Sequence, residues 1–145
     1  MKKTALIITS LFIAICATFS QAQSVIELNK QQFLDKVWNY ETNPDTWVYN
    51  GSLPCVIDFN AKWCGPCRKM EPILKDMARK YDGKIIIYKV DVDKEKELAS
   101  LFGISSIPTF LFCPTNGEPR GTMGAYPADD FEKIIRTVLL GEEAE

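Results

Sequence analysis

The chain has 145 residues, 46% hydrophobic and 25% charged, with 17 basic and 19 acidic side chains and a net charge of −2. That length buries one core and not two, and the mildly acidic balance argues against nucleic acid as a partner. There is no histidine, so the commonest general base and the commonest zinc ligand are both missing, and catalysis has to run on cysteine, carboxylate or lysine.

At the N-terminus Lys2 and Lys3 precede an apolar run from Ala5 to Phe19 and the small-residue pattern Ser20-Gln21-Ala22. This predicts a secretory signal peptide over residues 1–22, cleaved after Ala22. The apolar stretch is shorter than the ~20 residues a membrane-spanning helix needs, and the bulky Ile15 before Cys16 fits lipid attachment poorly. Loss of Lys2 and Lys3 takes the net charge from −2 to −4 and leaves residues 23–145 as one domain, expected in the bacterial periplasm or secreted. Of five cysteines, Cys55, Cys64, Cys67 and Cys113 then remain.

Val25 to Leu28 is β-rich, and Asn29 is placed to cap a helix carrying Phe33, Leu34 and Val37. Residues 39–52 read as a loop or short edge strand around Trp47-Val48-Tyr49. Leu53 to Phe59 is an almost continuous apolar run, the pattern of a central strand buried on both faces. Cys64 to Tyr81 has helical spacing, and Pro72 inside it predicts a kink. Lys84 to Val92 is a second buried strand, Asp93 to Phe102 a short helix, and Thr109 to Cys113 a third core strand. Asn116-Gly117 marks a hairpin whose return strand passes through Thr122-Met123-Gly124. Asp129 to Leu140 closes the chain as an amphipathic helix. The order β-α-β-α-β-α-β-β-α predicts a mixed α/β sheet with helices on both faces.

Chemistry concentrates at Cys64-Gly65-Pro66-Cys67, where the central strand ends and the long helix begins. Helix N-terminal amides favour an anion, so Cys64 is expected to be the nucleophilic thiolate. Cys67, one turn on and facing inward, is expected to be the resolving thiol. A zinc site would need two further cysteine or histidine ligands close by, and Cys55 and Cys113 fall inside strands, so redox chemistry is favoured over metal. An inert structural disulfide closing so small a loop would remove little unfolded-state entropy. Asp58 is a lone carboxylate in an apolar strand, costly unless paired or neutral. Cys55 and Cys113 are expected to be buried reduced thiols rather than a second disulfide.

Trp63-Cys64-Gly65-Pro66-Cys67 resembles the thioredoxin signature, and it has company: Asp58-Phe59 before it, Pro72 after it, then Ile107-Pro108-Thr109 and Asn116-Gly117-Glu118 at matching distances. The resemblance covers essentially all of residues 23–145. It implies a thioredoxin fold: a five-stranded mixed sheet, order 1-3-2-4-5, flanked by four helices. It also implies that Asp58 is buried behind Cys67 and exchanges a proton with it, that Lys89 tunes Asp58, and that the Ile107–Pro108 bond is cis. Trp63, Gly65, Pro66, Ile107, Pro108, Met123, Gly124 and Ala125 would then form the apolar platform that binds substrate. This sequence departs from the family at Asn60, where many members have tryptophan, at the longer stretch 39–52, and at Ser106, which replaces a common glycine.

The activity so implied is reduction of disulfides in substrate proteins by dithiol-disulfide exchange, by a monomer, without cofactor or metal. Outside the cytosol it would draw electrons from a membrane-spanning donor or another exported thiol protein. The alternatives are a disulfide oxidase or isomerase, a reductase for cytochrome maturation, and a binding module that uses the same surface without turnover. Gly65-Pro66 resembles the reducing members, and the oxidase-favouring histidine is absent between the cysteines.

Overall fold

The apolar runs and helical stripes of the chain become, in a computed structural model that describes residues 24–143, a sheet with helices on both faces. The leader read at residues 1–22 lies outside the described residues. The strands are β1 (Ile26–Glu27), β2 (Cys55–Asn60), β3 (Ile86–Asp91), β4 (Thr109–Cys113) and β5 (Arg120–Met123). Their order is β1-β3-β2-β4-β5. The first three run parallel, and β4 and β5 are each antiparallel to their neighbours. The helices are α1 (Lys30–Lys36), α2 (Gly65–Lys80), α3 (Lys96–Leu101) and α4 (Ala128–Ile134).

All six residues of β2 are buried, as its apolar run requires at the centre of a sheet. It begins at Cys55 rather than Leu53 because Pro54 has no amide to give a ladder; the Pro54 carbonyl still accepts from the Ile86 amide at 2.9 Å. Asn29 and Gln32 cap α1 reciprocally, Asn29 Oδ1 accepting from the Gln32 amide at 2.9 Å and Gln32 Oε1 from the Asn29 amide at 3.1 Å.

One core layer joins Val56, Ile87, Phe110 and Phe112 of the sheet to Met70 and Leu74 of α2 and Phe131 of α4. Phe110 and Phe131 meet edge to face at 4.9 Å. The other layer joins Ile57, Phe59, Val90 and Leu111 to Phe33 of α1 and Leu98 of α3. With its two faces covered in this way, β2 ends at a fixed point at the top of the sheet.

α2 is one helix with Pro72 inside it. Three local expectations are refined. The short helix starts at Lys96 rather than Asp93, because the Asp91 carbonyl draws in the Lys94 and Glu95 amides at 3.1 and 2.8 Å as a turn. The last helix changes to π geometry over Ile135–Leu139. Residues 39–52 form no strand. Instead Trp47 lies 5.1 Å from Trp38 and stacks on Tyr49 at 6.4 Å, and the Asn50 amide and side chain bond the Val37 and Leu34 carbonyls at 2.8 and 3.1 Å. The loop is thus fastened over the end of α1. In the β4–β5 hairpin, Gly117 takes φ 105°, a conformation that a side chain would strain.

Cys55 and Cys113 are direct cross-strand partners, both buried and both free thiols. Burial, followed by the contact with Cys55, pushes the Cys113 thiol well above its ordinary range, so it behaves as an inert apolar group. The oxidised native protein is expected to take up no alkylating reagent at these positions. After denaturation without reductant it should take up two equivalents; a count of zero would reveal a second bridge.

Candidate functional site

Ala61 to Trp63 turn the chain from the end of β2 into α2, and Cys64 occupies the cap of that helix. Its extended backbone leaves the sulfur facing the first turn, where the Cys67 amide donates to Cys64 Sγ at 3.2 Å. Pro66 sits within the first turn, where its missing amide costs no intrahelical bond. Cys64 and Cys67 are joined by a disulfide, with Cα atoms 5.3 Å apart, within the span such a bond needs. Both residues are only 4% exposed and pack with Ala61. In the disulfide form, exposure therefore does not distinguish the two cysteines, whereas their partners do. Cys64 is the sulfur that receives a helix amide, and it lies 3.7 Å from the Ile107 carbonyl oxygen.

The Ile107–Pro108 peptide is cis, and Ile107, just before β4, packs against the cysteines. Thr109 Oγ1 donates to the Ser106 carbonyl at 2.7 Å and the Gly124 amide to the Pro108 carbonyl at 2.8 Å, which hold this corner. Gly124 adopts φ 93°, the left-handed turn that ends β5 beside it. Trp63 is 68% exposed and Met123 65%, a large apolar area to leave in water. Trp63 is anchored by its indole N–H, which donates to Asp93 Oδ2 at 2.9 Å. The Ser106 hydroxyl lies 3.5 Å from Met123 Sδ. Trp63 and residues Val92, Ile104, Ser105, Ser106 and Ile107 line a shallow groove of about 360 Å³. Gly65 is half-buried, and Pro66 and Ala125 are exposed.

Asp58 lies midway along β2 and is 2% exposed. It shares a cleft of about 210 Å³ with Glu71 and Leu74 of α2, Lys89 of β3 and Glu27 of β1. Glu71 and Leu74 follow Cys67 at helical spacing of four and seven, so the helix face over Asp58 is the face that carries Cys67. Burial pushes the Asp58 carboxyl up to about 7; Lys89 opposes this, Glu71 adds to it, and the hydrogen bond from Asn60 opposes it. Asn60 Nδ2 donates to Asp58 Oδ2 at 3.2 Å, while Oδ1 has no hydrogen-bond partner among the described residues. Lys89, paired with Asp58 in register, puts its ammonium 3.5 Å from Glu71 Oε1.

All twelve site residues expected from the sequence therefore fall at one end of the sheet or in the cleft beneath it. Three further residues touch them. Asp93 anchors Trp63, Glu71 pairs with Lys89, and Asn60, read from sequence only as a departure in packing, bonds the buried carboxyl. Spacing carried a signal for two of these: Asn60 is two residues from Asp58 on a strand, and Glu71 is four from Cys67 on a helix.

A disulfide between two cysteines three positions apart at the mouth of a helix, beside a cis proline and exposed apolar side chains, defines a thiol-disulfide oxidoreductase. A family profile described as Thioredoxin matches residues 24–137. A thioredoxin of Borreliella burgdorferi is 42% identical over 111 residues, covering 77% of this chain and 94% of that protein. Among solved structures, chloroplastic thioredoxin z superposes with a TM-score of 0.66 at 25% identity, covering 79% of this chain and 94% of its own. A mutant thioredoxin of Halobacterium salinarum superposes with a TM-score of 0.65 at 25% identity, covering 86% and 96%. The chain belongs to the thioredoxin family, whose members reduce disulfides in substrate proteins.

The raised carboxyl makes stability depend on pH. Below the ordinary aspartate range, near ~3.9, folded and unfolded chains both hold the proton. Between there and about 7 only the folded chain holds it, so Asp58 erodes stability as pH rises across this window and no further above it. Asp58→Asn is expected to be more stable than the parent in urea, with a gap that widens from pH 5 to pH 8 towards about 4 kcal/mol. A gap independent of pH would contradict the assignment.

Proposed function

We propose that this chain is an exported protein-disulfide reductase in which Cys64 is the nucleophile, Cys67 the resolving thiol and Asp58 the proton acceptor. The observation that carries the reading is the Cys64 sulfur at the start of α2, receiving the Cys67 amide and facing the Ile107 backbone. An anion at that sulfur is stabilised by the helix terminus. An extended substrate segment would lie along Ile107 in the manner of an added strand. The apolar rim of Trp63, Gly65, Pro66, Pro108, Met123, Gly124 and Ala125 would cover its side chains.

In the reaction, the Cys64 thiolate attacks one sulfur of a substrate disulfide, forming a mixed disulfide and expelling the other substrate sulfur as a thiolate. Cys67 then gives its proton to Asp58 and attacks Cys64 Sγ. The Cys64–Cys67 bond forms, the mixed disulfide breaks, and the second substrate sulfur leaves and is protonated. The substrate gains two electrons and the protein loses two. Lys89 adjusts Asp58 through its charge. No cofactor enters these steps.

The leader at residues 1–22 supports export, and export removes the protein from cytosolic nicotinamide cofactors. Its electrons would then come from a membrane-spanning donor or another exported thiol protein. Mature protein recovered from the periplasm should begin at Gln23; recovery only from the cytosol with Met1 intact would overturn export.

Cys64→Ser is expected to abolish reduction of a protein disulfide, and Cys67→Ser to accumulate substrate as a mixed disulfide on Cys64, seen by mass spectrometry under non-reducing conditions. Equilibration with glutathione should give a strongly reducing potential, closer to the ~−270 mV of a reductase than to the ~−120 mV of an oxidase. A value near the latter would favour the oxidase reading.

A further inference from the structure

The polar groups around Asp58 are arranged with more specificity than burial of a carboxyl requires. Asn60 is 4% exposed, and its Nδ2 faces three oxygens: the Asp58 carbonyl at 3.0 Å, Asp58 Oδ2 at 3.2 Å and the Val90 carbonyl at 3.4 Å. Three acceptors around one terminal atom leave no ambiguity over which end of the amide is there. Asp58 Oδ2 is therefore engaged by a donor, and Oδ1 is not.

On the other side, Lys89 neighbours Asp58 across parallel strands, where side chains stand about 5 Å apart. Its ammonium nonetheless sits at Glu71, 3.5 Å away, and among the described residues it makes no ion pair with Asp58. Glu71 is 46% exposed at the mouth of the cleft. The charged groups that share the cleft with Asp58 are Glu71 and Lys75 from α2, Lys89 from β3 and Glu27 from β1; β4 presents Phe110 opposite it.

We propose that Asn60 and Glu71 are positioning residues for the proton transfer of this chain: Asn60 holds Oδ2 of Asp58 so that Oδ1 carries the proton, and Glu71 holds the Lys89 ammonium away from that carboxyl. The two act in opposite senses. A donor on Oδ2 favours the ionised form; an anion that withdraws a neighbouring cation favours the protonated form. Together they keep the carboxyl able to take a proton from Cys67 and to give it up again in the same pH range.

The inference rests on the reductase reading for the use made of Asp58, and its test is chosen to stand apart from turnover. The Asp58 carboxyl carbon is followed by ¹³C NMR against pH in the oxidised protein, with the pH profile of mixed-disulfide resolution recorded alongside. Glu71→Gln should lower the titration midpoint by about half a pH unit or more, and Asn60→Leu should raise it by a similar amount. Glu71→Asp should restore most of the parental value. A merely structural role would lower stability without moving the midpoints in opposite directions. An unchanged or raised midpoint in Glu71→Gln, or an unchanged or lowered one in Asn60→Leu, overturns the proposal. Should Asn60→Leu fail to fold, the exposed Glu71 variants decide the matter alone. Loss of the expected resolution profile with the NMR shifts intact would count against the reductase reading and leave the positioning roles standing.

Discussion

A sulfur atom stands where a helix cap would ordinarily place an oxygen, and the rest of the molecule serves to keep it there. Cys64 receives the Cys67 amide at 3.2 Å, so this sulfur of the disulfide already occupies the point where backbone dipoles converge. That geometry is only as firm as the strand that delivers it. β2 is buried along its whole length, paired on one side with β3 and on the other with β4, and its end is therefore fixed to within the slack of a packed core. A sulfur at the end of an edge strand would lack this support.

The same strand carries the main energetic liability of the fold. A carboxyl in the middle of β2 is held up to about 7 by burial, which costs stability at neutral pH; in the proposed mechanism the same carboxyl takes up the proton of Cys67. This is the familiar conflict between stability and activity. It is moderated from within, since Asn60 satisfies one carboxyl oxygen and Lys89 supplies a screened positive charge. The neighbouring thiols Cys55 and Cys113 sit on the same strands and stay out of the chemistry because they are enclosed by apolar side chains at the opposite end of the strand from Cys64.

The surface around the disulfide divides into a soft part and a hard part. Trp63 and Met123 are exposed apolar side chains suited to varied partners, whereas the corner at Ile107 and Pro108 is tied down by backbone and hydroxyl bonds. The long stretch 39–52 stands apart from both. Its aromatic residues stack on Trp38 and through it on Phe102, so the insertion adds to the core layer under α1 and α3.

Hydrophobic period alone made the strands and helices readable, because β2, α2 and β4 each bury a face whose spacing shows in the chain. The cysteine pair and the role of its position were equally readable, since strand, turn and helix start are consecutive in sequence. Where local hydrogen bonding competes with period, the reading blurred: the turn at Asp91 shortened α3, and the loop after α1 took its partners from the helix rather than from a strand edge. Contacts between residues far apart in the chain were settled by tertiary structure only. Glu71 is an ordinary polar residue in the sequence, and nothing in its identity shows that it pairs with Lys89 beside a buried carboxyl. That depends on which side chains the packing of α2 against β2 and β3 brings within reach, and only the folded chain decides it.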